Sequence, residues 1–163
     1  MSRETIRSAV ATYFQPPAVL GLNKVFTAHP KRIEGQWFRY GQPAGTYSGA
    51  VGVVAIMSEE EERIGIGGAH SGKKWVHYEV QLEVFMHSIQ RHAEDAMADF
   101  DILIDGIKAK LRADRYLDQA PNVVFEAGEK YLEGVYGEPR VLNDGSTEIW
   151  GAIRFEVSEV LTT

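Results

Sequence analysis

Residues 67–73 read Gly-Gly-Ala-His-Ser-Gly-Lys, which has the G-x-x-x-x-G-K spacing of a phosphate-binding loop. In such a loop backbone amides cradle the phosphate, the lysine reaches it, and a Ser or Thr after the lysine holds magnesium at a helix N-terminus. Here Lys74 follows Lys73, and the clearest strand pattern of the chain comes next. The segment therefore reads as a glycine-rich loop. A reading as a small-ligand-binding or hydrolytic domain would rest on Lys73, and it is the remote one.

The other chemistry-bearing residues are the histidines and the acids. His77, Glu79, Glu83 and His87 alternate along one strand pattern, and His92 and Glu94 make an H-x-E at a helix start. A metal needs three or four converging ligands. His77 and His87 stand roughly 33 Å apart along an extended strand. The H-x-E of zinc deaminases needs cysteines, and the chain has none. These residues read as solvated sheet-face side chains, and no metal or cofactor is implied. Asp99, Asp101 and Asp105 sit on a helix pattern with Lys108 three residues beyond Asp105. They read as a solvated face, because acid–base work needs a carboxyl perturbed by burial. No G-x-S-x-G nucleophile motif is present, and no residue set points to an enzyme.

Two clusters suit a partner better than a reaction. Glu59, Glu60, Glu61 and Glu62 are consecutive, whereas a calcium loop spaces its ligands around a turn. They read as a solvated loop or as a charged arm for a basic partner. Trp37, Phe38, Tyr40 and Tyr47, with Arg32 and Arg39, lie among glycines. Aromatics and Arg are enriched at interface centres, although such a set also plugs a core under a loop. Arg32, Trp37, Arg39, Glu59 to Glu62, Lys73, Lys74 and Trp75 are the candidate subunit or partner interface.

These residues must be carried by one domain. The chain has 163 residues, enough to bury about 70% of its unfolded surface without disulfides. Apolar residues are 44%, charged residues 25% and net charge −6. That balance opposes a surface that grips nucleic acid by counterion release. No run approaches the ~18–20 apolar residues of a membrane span. The start, Met1-Ser2-Arg3-Glu4-Thr5, lacks a signal peptide's apolar region. The expectation is a protein of a reducing cytoplasm.

Ile6, Ala9, Val10 and Tyr13 predict a short helix with Ser2 as N-cap, ended by Pro16 and Pro17. Strands are predicted over 18–28 and over the apolar run 50–57. The stretch 58–72 reads as a long flexible connection, a hairpin tip or arm. Val76, Tyr78, Val80, Leu82, Val84 and Met86 alternate with polar residues, predicting a one-sided strand over 74–87. Trp75 and Phe85 interrupt its polar face. A helix over 91–113 follows from Ala93, Met97, Phe100, Leu103, Ile104, Ile107 and Leu111. Gly106 is its weak point, costing roughly 1 kcal/mol against Ala. A strand over 122–127, turns over 128–147 and a strand over 148–161 complete an α+β domain. Its sheet is mostly antiparallel, with both helices packed on one face.

With this order of elements the chain resembles the tail terminator family of long-tailed bacteriophages. The resemblance rests on the N-terminal helix ending at Pro16, on AEDAMADFDILIDGIKAKLRAD over 93–114 directly after a long alternating strand, and on the closing IWGAIRFEV over 149–157. It covers nearly the whole chain. It implies a virion protein of the tail neck, assembled in the host cytoplasm as a homo-hexameric ring on a finished tail tube. Such a ring stops polymerisation of the major tail tube protein and meets the head–tail connector or head-closure protein. Genomic DNA passes through its lumen without specific binding, and no membrane is involved. Six copies at −6 each carry −36, and an acidic lumen lets DNA slide. The alternative is another neck component, a tail-completion or head-closure adaptor.

Overall fold

The computed structural model describes residues 3–29, 49–63, 72–90, 92–114, 116–117 and 132–162. Two helices and six strands follow in the order α1 (Arg3–Phe14), β1 (Leu22–Phe26), β2 (Gly49–Arg63), β3 (Lys73–Ser88), α2 (Ala93–Ala113), β4 (Leu132–Tyr136), β5 (Arg140–Val141) and β6 (Thr147–Thr162). The class is α+β.

The sheet order is β1-β2-β3-β6-β4, with β5 also on β6. β1 runs parallel to β2, and every other pairing is antiparallel. Period two explains the register. Val76, Tyr78, Val80, Leu82, Val84 and Met86 of β3 are all buried. Leu82 stands opposite Val54 on one side and Ile153 on the other. These residues join the buried stripes of both helices, Ile6, Val10 and Phe14 with Phe100, Leu103, Ile104, Ile107 and Leu111, in one apolar cluster. Burial of this continuous face is the main stabilising term.

Both helices form for the expected reasons. α1 ends at Phe14, two residues before Pro16. Gln15, just past its end, bonds the carbonyl of Val25 in β1 at 2.7 Å. In α2, Glu94 and Asp95 lie in the first turn and Lys110 and Arg112 in the last, matching the helix dipole. Gly106 has a packing role. A Cβ there would lie 3.3 Å from Val19 Cγ1, so the glycine lets the α1–β1 turn close on α2.

Several boundaries differ from the pattern. The strand expected over 18–28 shortens to Leu22–Phe26, because the chain turns at Gly21, whose φ is +87°. β2 runs through Glu59–Glu62 to Arg63, so residues 58–63 belong to a strand and not to the flexible connection expected at 58–72. Their pairing with β3 outweighs the poor strand propensity of four glutamates. The turn-rich stretch 128–147 holds two short strands, β4 and β5. Asn143-Asp144-Gly145-Ser146 does make the expected turn, with Gly145 at φ +81°. The strand expected over 122–127 and the Ser2 cap lie outside the described residues.

Candidate functional site

β1 pairs with β2 only as far as Val53, and β4 with β6 only as far as Phe155. Past those points, among the described residues, β2, β3 and β6 continue as a three-stranded blade roughly 25 Å long at ~3.3 Å per residue. The blade gathers seven of the ten candidate interface residues. Glu59, Glu60, Glu61 and Glu62 stand opposite Tyr78, His77, Val76 and Trp75, with Lys74 and Lys73 next along β3. Arg32, Trp37 and Arg39, like Phe38, Tyr40 and Tyr47, lie outside the described residues, as does most of the glycine-rich loop. Lys73 opens a strand, so no helix N-terminus follows the loop as a phosphate site would require.

A bulge decides which way the glutamates point. The register shifts between Ile56 and Ser58, leaving Met57 extra. Beyond it Glu59 and Glu61 share the face of Tyr78 and Val76, while Glu60 and Glu62 share the face of His77 and Trp75. On the first face Arg3 Nε donates to Glu59 at 2.6 Å and Lys74 Nζ to Glu61 at 3.1 Å. Behind them lies a residue that sequence reasoning missed. Glu159 is fully buried and accepts a 2.8 Å hydrogen bond from the Tyr78 hydroxyl. Burial, then this bond to Glu159, pushes the Tyr78 phenol well above its ordinary pKa. The only hint in the sequence is an acid at an inward position of the closing strand's alternation.

On the second face the Trp75 and His77 rings stack 5.9 Å apart and 9° from parallel. His77 Nδ1 lies 2.7 Å from Ser158 Oγ and 3.1 Å from Glu156 Oε1, and its Nε2 lies 4.0 Å from Glu62. Serine, histidine and acid are thus together, but not as a nucleophilic triad. There the acid holds one ring nitrogen and the serine proton goes to the other. Here Ser158 and Glu156 share Nδ1, and Ser158 is buried within a strand.

A second polar run crosses this face further along. Arg154 reaches Glu133 at 3.5 Å and donates to Gln81 at 2.8 Å; Gln81 donates to Glu83 at 2.9 Å. Glu83 lies 2.8 Å from His29. His29 follows β1 by three residues yet touches β3, so the chain leaving β1 crosses β2 on this face. His87 is fully buried, which corrects its reading as a solvated histidine. Lys108 bonds the Tyr136 hydroxyl at 2.7 Å, where the helix pattern suggested a contact with Asp105. Asp101 and Asp105 are exposed as expected.

Phe85, the other aromatic on the polar face, pairs across strands with Trp150. Together with Met86, Glu138, Arg140, Glu148 and Ile149 they line a cleft of about 260 Å³. No group of three or more His, Asp or Glu converges as metal ligands would among the described residues. No helix among them is long and apolar enough to cross a membrane. No protein-family model and no curated protein matches the chain.

Proposed function

We propose that this chain is a structural protein of a tailed bacteriophage, similar in role to a tail terminator. In this reading it forms a ring that caps the tail tube, stops its growth and presents the surface to which the head connector joins. The single observation that supports the reading best is the blade. Its three long strands leave the flanking strands behind and carry an acidic, aromatic-tipped surface on ordered β-structure. A subunit that meets a neighbour or a tube end can present such a surface on a rigid element, whose shape changes little on binding. In this reading the end of the second face that carries the exposed Glu60 and Glu62 is the part that meets a partner. The acidic second face also suits a lumen through which DNA slides without sticking.

Residues 58–63 are strand, so deleting the arm would remove part of the sheet. Charge reversal is the cleaner test. Added to growing tubes of the tail tube protein, the wild type should shorten the tube lengths seen by electron microscopy. The Glu60→Lys, Glu62→Lys double variant should lose that capping with an unchanged melting temperature. Tubes of unaltered length with the wild type would contradict the terminator role. Binding to the purified connector alone would assign the chain to the alternative, an adaptor elsewhere in the neck.

A further inference from the structure

The cleft on the second face joins two aromatic side chains to three charged ones. Phe85 of β3 and Trp150 of β6 are direct cross-strand partners. Glu148 precedes Trp150 by two residues and so shares its face, and Arg140 of β5 stands opposite Glu148. Gly137 donates its backbone N–H to the Trp150 carbonyl at 2.9 Å, which brings Glu138 to the same end of the sheet.

Elsewhere on this face the charges are paired: Glu83 with His29, Arg154 with Glu133 and His77 with Glu156. Among the described residues, the side chains of Glu138, Arg140 and Glu148 have no hydrogen bond or ion pair of their own. Glu138 and Arg140 are exposed and Glu148 is half-buried, so both signs of charge stand at the mouth of an aromatic recess.

Size and charge together select a ligand. An apolar cavity of about 150 Å³ holds one benzene, so a volume of about 260 Å³ takes roughly ten heavy atoms. An anion alone would meet two carboxylates, and a cation alone would meet the guanidinium, so a ligand of either single sign is opposed by its like. A ligand that carries both charges finds a charge-assisted hydrogen bond for each. Phe85 and Trp150 offer the apolar surface that a side chain would cover.

We propose that the cleft binds a free apolar α-amino acid of the size of leucine, methionine or phenylalanine. Its carboxylate lies on Arg140, its ammonium on Glu138 and Glu148, and its side chain against Phe85 and Trp150. The site does not depend on ring formation, and its failure would leave the assembly reading untouched.

NMR titration of isotope-labelled protein tests it. The reporter is the indole N–H of Trp150, assigned by its loss in Trp150→Phe. L-Leucine should shift this signal saturably at millimolar concentration. Glycine lacks the side chain, N-acetyl-leucine the ammonium and leucinamide the carboxylate, so each should bind about tenfold more weakly or worse. Arg140→Gln, and the double variant Glu138→Gln, Glu148→Gln, should weaken leucine by a similar factor with an unchanged melting temperature. No saturable shift with leucine, methionine or phenylalanine would overturn the site. N-acetyl-leucine or leucinamide binding as tightly as leucine would overturn it too, as would full affinity for leucine in Arg140→Gln.

Discussion

At the scale of single residues the most informative group is the buried pair Tyr78–Glu159. A carboxylate taken out of water needs hydrogen bonds to offset its desolvation, and the phenol supplies one at 2.8 Å. Tyr78→Phe removes the donor and leaves the acid in place, so urea unfolding at pH 7 should show a loss of about 1–3 kcal/mol. The phenol also carries a pH signature. Its pKa in the fold lies above the ordinary 10.0, so the stability that it contributes is fully present below pH 10 and falls as pH rises beyond. Unfolding curves from pH 8 to 11 should steepen in their loss of stability above pH 10 for the wild type, and less for Tyr78→Phe. Equal slopes would mean that the pair does not couple to folding. Nothing in the residue types of Tyr78 and Glu159 announces the pair, because the two are 81 positions apart and meet only through the β3–β6 register.

At the scale of elements the close approach of α2 to β6 depends on Gly151. A Cβ there would stand 2.7 Å from Phe100 Cζ, and Phe100 is buried at the centre of the core. Gly151→Ala should therefore cost about 1–3 kcal/mol through displacement of that ring. Calorimetry would read this as a lower melting temperature, and an unchanged one would mean that the layers part at no cost. The main elements were legible because one-sided strands and helices write their periods into the sequence. Val76 to Met86 and Phe100 to Leu111 are clear examples. β4 and β5 were not legible: they are short, they lie at the sheet's margin, and their residues are mostly half-buried or exposed. The glutamates misled because propensity describes a strand alone, whereas Glu59–Glu62 are held by fourteen residue pairings between β2 and β3. For the candidate site, Glu59–Glu62 and Lys73–Trp75 stood out separately in the sequence. That they share one blade follows from the hairpin register, and the bulge at Met57 decides which of them meet Arg3 and which meet His77. No local pattern encodes either.

At the scale of the whole molecule, the proposed role rests on the acidic surface that β2, β3 and β6 carry past the ends of β1 and β4 among the described residues. That surface serves the role only if copies associate, and association of this kind depends on protein concentration. The most direct measurement is the mass in solution by light scattering over a wide concentration range, with the same samples imaged by negative stain. The ring reading predicts that mass rises with concentration, or on addition of tail tubes, to a fixed multiple of 18.2 kDa, and that the particles show a central hole. A compact dimer with a closed centre at every concentration would contradict it.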